Sequence, residues 1–166
     1  MKRRKLCRWL MVLFCLFFSG CTMKSVDTSE SGGDEEGLPR ILIACQKTKF
    51  KRYLVSEIRT TLQEKSVYIK IIDVKSLRNE STENYHAVVI INKCMAGRPD
   101  PRVEDFITAV PEKHKIILLT TGIMDSWKPE SSEIDAMTSA SSLSESTRIA
   151  QIITDKVEHL IDSKRM

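Results

Sequence analysis

The chain has 166 residues, with 26 basic and 22 acidic side chains and a formal net charge of +4. Five of the basic residues, Lys2, Arg3, Arg4, Lys5 and Arg8, fall within the first twenty positions, so the remainder carries 21 against 22 and is close to neutral. No basic stripe interleaved with aromatic residues occurs in that remainder, which excludes nucleic acid as a partner on compositional grounds.

Those five cations precede an apolar run, Trp9 to Phe18, and then the small residues Ser19 and Gly20 directly before Cys21. This is the three-part pattern of a secretory signal over residues 1–20. The apolar run is half of the roughly twenty residues needed to cross a bilayer core, so removal of the segment is expected rather than a permanent span. Phe18-Ser19-Gly20-Cys21 resembles the lipobox of bacterial lipoproteins, with Phe18 in the place of the usual leucine. The resemblance implies cleavage before Cys21, lipidation of Cys21, and an exported protein held to a bacterial membrane. The alternative is an ordinary signal that leaves Cys21 as a free thiol. More than one acyl chain on Cys21 would give a stable anchor where a single chain gives marginal binding. Residues 21–37 are rich in Ser, Gly, Asp and Glu and almost free of apolar side chains, so they are expected to form a disordered tether. Residues 38–166 remain for one folded domain, within the common range of about 100 to 150 residues.

Arg40-Ile41-Leu42-Ile43-Ala44-Cys45 opens that domain as a short apolar run, the pattern of a strand buried on both faces. Leu54, Ile58 and Leu62 recur at a spacing of four and predict a helix from Lys51 to Lys65, followed by a second strand over Val67 to Val74. Ala87 to Ile91 reads as a third strand. A helix then starts near Pro101, which suits a first helical turn, with Val103, Phe106, Ile107 and Val110 on one face. Lys115 to Thr120 is a fourth strand and Glu133 to Thr138 a weak fifth. The last helix carries a stripe of Ile149, Ile152, Ile153, Val157, Leu160 and Ile161, with Ser142 and Glu145 spaced as a capping box before it. Alternation of this kind predicts a parallel α/β sheet with helices on both faces and ligands beyond the carboxyl ends of its strands.

The segment from Tyr85 to Pro99, with Val103 and Phe106 beyond it, is similar to the strand, loop and helix pattern YDAVVIGSPIYAGRP…V…F of the flavodoxin-like proteins. The resemblance extends over the order of elements from Arg40 to Ile161. It implies a three-layer sandwich with a five-stranded parallel sheet of order 2-1-3-4-5, and FMN carried for electron transfer. The family's ring-contacting loops correspond to Met95, Ala96 and Gly97 and to Thr120, Thr121 and Gly122. The phosphate turn after the first strand is Cys45-Gln46-Lys47-Thr48-Lys49-Phe50, shorter than the family's T-x-T-G-x-T and without glycine; Thr48 is what remains of its hydroxyls. Trp127 either stacks on a flavin ring or packs on the domain edge.

A second resemblance lies further on. Asp135-Ala136-Met137-Thr138-Ser139-Ala140-Ser141 is similar to the flavinylation sequence of exported FMN-binding domains, in which a flavin transferase attaches FMN to the last hydroxyl through a phosphoester bond. That implies Ser141 as acceptor; the other reading is a Ser-rich turn leading into the last helix. The resemblances together imply a membrane-anchored electron carrier with a membrane redox partner. The competing reading is a flavodoxin-like domain that has lost its flavin and serves as an interaction or surface lipoprotein.

Cys45 and Cys94 fall at or just past the ends of neighbouring strands, leaving a disulfide or two buried thiols as alternatives. His86, His114 and His159 lack metal-ligand spacing, and no G-x-S-x-G, Walker loop or H-E-x-x-H is present. Hydrolase and metalloenzyme chemistry has no motif to rest on.

Overall fold

A computed structural model describes residues 29–31, 37–94, 96–122, 127 and 129–163. The signal, Cys21 and Met95 lie outside the described residues.

Strands β1 (Ser29–Ser31), β2 (Arg40–Cys45), β3 (Tyr68–Asp73), β4 (Ala87–Lys93), β5 (Ile116–Thr121) and β6 (Asp135–Ser139) form one sheet of order β1-β3-β2-β4-β5-β6. The strands β2 to β6 are parallel to one another and reproduce the order 2-1-3-4-5 expected from the sequence. Their apolar runs face both ways. Ile41, Ile43, Val89, Ile91, Ile117 and Leu119 pack under helices α1 (Lys49–Gln63) and α3 (Ser146–Asp162). Leu42, Ala44, Val88, Ile90, Ile116 and Leu118 pack under α2 (Pro101–Ala109). Successive side chains of a strand point to opposite faces, so a continuous apolar run is what a sheet covered on both sides requires.

The two layers differ in how they are built. On the first face, α1 buries Leu54, Val55, Ile58 and Leu62, and α3 buries Ile149, Ile153, Val157 and Ile161. On the second, the crossover from β3 to β4 is made by the 3-10 turns Val74–Asn79 and Thr82–Asn84, with Val74 and Leu77 turned inward. Asp73 and Ser81 start these turns by accepting the backbone N–H of Lys75 at 2.9 Å and of Glu83 at 3.3 Å. The turns lack the length for a repeating apolar stripe, so α2 supplies most of the helical cover on that side.

Two sequence expectations are corrected. Residues 21–37 were expected to form a tether throughout, but Ser29–Ser31 pairs antiparallel with β3, Ser29 opposite Ile71 and Ser31 opposite Ile69. An open sheet edge is satisfied by backbone N–H and C=O groups, so a strand there needs no apolar sequence of its own. The capping box before α3 is not formed. Ser142 begins a 3-10 turn, Leu143–Glu145, without a side-chain cap, its hydroxyl meets that of Ser144 at 2.7 Å, and the Glu145 carboxylate pairs with Arg148. The helix α1 starts at Lys49, earlier than its apolar repeat suggests, because Thr48 caps it.

Ile58 lies in the middle of the contact between α1 and the sheet and is fully buried. Truncation Ile58→Ala is expected to cost about 2–5 kcal/mol of unfolding free energy, read as a lower urea midpoint at an unchanged slope.

Candidate functional site

The carboxyl ends of β2 and β4 meet where the strand order turns from one side of β2 to the other, the position at which open α/β sheets bind ligands. Three residues, Gln46, Lys47 and Thr48, separate β2 from α1. Thr48 is the N-cap, and its Oγ1 accepts the backbone N–H of Lys51 at 3.2 Å. Ser, Thr, Asn and Asp hold this place because they satisfy one of the donors a helix start leaves unpaired.

Beside the cap lies a closed polar network. The Lys51 side chain is 1% exposed, and its Nζ donates to Gln46 Oε1. Gln46 Nε2 donates onward to Asn92 Oδ1 at 3.4 Å and Asp100 Oδ2 at 3.3 Å. Asn92 Oδ1 also accepts the backbone N–H of Asp100 at 3.2 Å, joining the end of β4 to the start of α2. Arg102 grips the Asp100 carboxylate with Nε at 2.7 Å and Nη2 at 2.6 Å, while the same carboxylate caps α2 through the Arg102 N–H. These charge-assisted bonds from Arg102 hold the Asp100 carboxyl below the usual carboxylate range, against burial, which works the other way. One buried donor, Asn92 Nδ2, has no partner.

Burial dominates the titration of two groups here. It lowers the Lys51 amine to about 8; the Cys45 side chain and Asp100 oppose the shift and Lys93 adds to it. It raises the Cys45 thiol to about 11, with Lys51 pulling down and Asp73 pushing up. Each shift is what loss of water does to the charged form of the group.

Among the described residues, the positions singled out in the sequence lie at the carboxyl ends of β2, β4, β5 and β6. Thr48 is exposed, but its hydroxyl is spent on the helix cap. Ala96 and Gly97 form a turn with positive φ at both residues, 51° and 77°, Ala96 exposed and Gly97 half-buried. Thr120 and Thr121 are the last two residues of β5, both buried, rather than loop residues, and the Thr121 hydroxyl donates to the Asn92 carbonyl at 2.9 Å. Gly122 passes so close to Cys94 that an added Cβ would lie 3.2 Å from its Cβ. Trp127 is half-buried and packs against the apolar cluster on the α2 side. Ser141 is exposed just beyond β6, and Asp135 of the same motif pairs with Lys156. Cys45 and Cys94 are both buried and free, so no disulfide joins them. No group of His, Cys, Asp and Glu among the described residues could hold a metal ion.

The turn after β2 keeps little of a phosphate-binding turn: it has no glycine, and one N–H of the helix start is taken by the Thr48 side chain. A phosphate needs several free N–H donors at a helix start. Here the Lys51 N–H is taken by Thr48, the Lys51 amine is turned inward to Gln46, and the Asp100 carboxylate stands next to Gln46.

No family model matches the sequence, and no curated protein matches it. Solved structures do. An oxidoreductase from Corynebacterium diphtheriae is similar at a TM-score of 0.52 and 8% identity, over 75% of this chain and 98% of that one. The Flv1 flavodiiron core from Synechocystis is similar at 0.50 and 10% identity, over 78% of this chain and 37% of that one. A flavodoxin from the Archaea gives 0.46 and 14% identity, over 72% and 99% of the two chains. Identities this low carry the fold and nothing finer: the chain has a flavodoxin-like α/β fold.

The two shifted groups predict how stability follows pH. Between about 8 and 10.5 the unfolded chain holds a proton on Lys51 that the folded chain has lost, so stability rises with pH. Between about 9 and 11 the folded chain keeps a proton on Cys45 that the unfolded chain has lost, which lowers stability as pH rises. The sum is a gain of about 1 kcal/mol from pH 7.5 to 9, a plateau to about 10.5 and a fall beyond it, measured by urea unfolding. Lys51→Met should remove the gain and leave the fall.

Proposed function

We propose that the protein is an exported lipoprotein, anchored through Cys21, whose flavodoxin-like domain works as an interaction module at the membrane surface and does not hold FMN in the noncovalent manner. The observation that carries this reading is the network of Gln46, Lys51, Asn92, Asp100 and Arg102, in which the side chains at the switch point bond to one another. The network includes an interior lysine and an arginine-held carboxylate, so emptying it for a ligand would leave buried charge without partners. Fold does not fix activity, and flavin binding belongs here to relatives of the fold rather than to a cradle in this chain.

A second reading is favoured by one observation, the exposure of Ser141 at the end of β6. Thr121 is paired with Ser139, so Ser141 stands at the same carboxyl end of the sheet as Gly122. A hydroxyl there is accessible to a flavin transferase, and a covalent phosphoester would remove the need for a phosphate turn. On this reading the protein is a tethered carrier that passes electrons to a membrane partner.

The visible spectrum of protein isolated from the cells that export it separates the readings. The interaction module is colourless, and added FMN leaves its melting temperature unchanged. A flavin that remains fluorescent in a denaturing gel and vanishes in Ser141→Ala establishes the covalent carrier. A stoichiometric flavin that washes out on denaturation contradicts both.

A further inference from the structure

We propose that the carboxyl end of the sheet is a docking surface for anionic lipid headgroups, the face that the domain turns toward its membrane. The orientation rests on the reading of Cys21 as the lipidated residue; the charge and shape of the surface do not.

The direction of β1 sets the orientation. Because β1 runs antiparallel to β3, with Ser29 opposite Ile71, the chain preceding it leaves the sheet at the carboxyl end of β3. Without that pairing the tether would join the domain at Arg40, the amino end of β2. Eight residues lead from Cys21 to Ser29, a reach of at most roughly 27 Å, so this end of the domain is the one held near the bilayer.

The same end is basic. Lys47 and Lys49 follow β2, Lys75 follows β3, and Lys93, Arg98 and Arg102 lie between the end of β4 and the start of α2, all six exposed. The acids of these turns are Asp73, Asp100 and Glu104. Asp100 and Arg102 pair with each other, and Asp73, which caps the backbone N–H of Lys75, keeps its charge, as does the exposed Glu104, so these turns present five further cations against two acids. This end thus carries a net positive charge in a chain whose residues after position 20 are close to neutral overall.

The exposed large hydrophobic side chains among the described residues are Tyr53 and Leu143, 46% and 47% exposed. Tyr53 is in the second turn of α1 and Leu143 directly precedes α3, and both helices begin at this end of the sheet. Tyr53 follows Lys49 and Arg52, and the turn of Leu143 carries the Glu145–Arg148 pair; apolar side chains at a basic end are the pattern of a surface that rests in a headgroup layer. An acidic soluble protein would answer the charge equally but would not explain why the tether leaves from the same end. Attraction of this kind fades within about 10 Å in salt, so a tether that keeps the surface close is what makes modest charge effective.

The test uses the unlipidated chain from residue 21 carrying Cys21→Ser, floated with phosphatidylcholine vesicles with and without about 30% phosphatidylglycerol. Binding is expected with the anionic vesicles and not with the neutral ones, and is lost at high salt. Combined Lys49→Glu, Lys75→Glu and Lys93→Glu should weaken it about tenfold or more, and Leu143→Asp severalfold, whereas Lys65→Glu at the opposite end should leave it unchanged. Equal retention by neutral vesicles, no retention by anionic ones, or retention undiminished in the triple variant with its melting curve intact would overturn the proposal. The mass of the cell-derived N-terminal peptide tests the anchor separately: an acyl-free Cys21 with vesicle binding intact removes the anchor alone, and an acylated Cys21 with no vesicle binding removes the docking surface alone.

Discussion

The Lys51 amine has been taken out of water at the point where the fold opens for a ligand, and the surrounding residues are arranged around that constraint. An ammonium without solvent requires an acceptor, and Gln46 supplies it. Gln46 must then be fixed in turn, which Asn92 and Asp100 do, and Asp100 is held by Arg102. The chain of contacts runs from the start of α1 across β4 to the start of α2, so it ties together the turns on both sides of the switch point. A ligand phosphate performs that tying in a phosphate-binding sheet; here protein side chains do it.

Much of the fold was legible in the sequence because parallel sheets write themselves as apolar runs. Arg40 to Cys45, Ala87 to Ile91 and Lys115 to Thr120 could be buried on both faces and little else, and each became a strand, the first with the same bounds and the other two within a residue or two. The spacing of Leu54, Ile58 and Leu62 fixed α1 in the same way. What escaped was structure held by backbone or by local polar contacts. The strand at Ser29 is paid for by the open edge of β3, and its polar sequence carries no periodic signal. The pattern of Ser142 and Glu145 had the right spacing for a cap, but Arg148 one turn on offered Glu145 a charged partner instead.

The site was less legible, for a related reason. Resemblance directs attention to the residues a family uses, so Thr48, Gly97, Thr120 and Gly122 drew the reading, while Gln46, Lys51, Asn92 and Asp100, which form the network there, were not among them. One signal was present. Lys51 precedes Leu54, Val55 and Ile58 on the buried stripe of α1, a place where a lysine must either snorkel out or find an internal partner. The rest of the network depends on which turns meet in space, and Gln46, Asn92 and Asp100 are 46 to 54 positions apart at the contacts that matter.

The proposed picture is of a domain with a polar network at its switch point, basic at that same end, joined there to the segment that carries Cys21 and held face-down on a membrane. Its central claim is that Lys51 is an interior residue of a closed network. Direct titration of the Lys51 side chain, followed through the chemical shift of its ε-carbon in the folded chain, tests this without any ligand or variant. The account predicts a midpoint near 8. A midpoint near the ordinary lysine value of about 10.4 would place the amine in water, leave the switch point open, and contradict it.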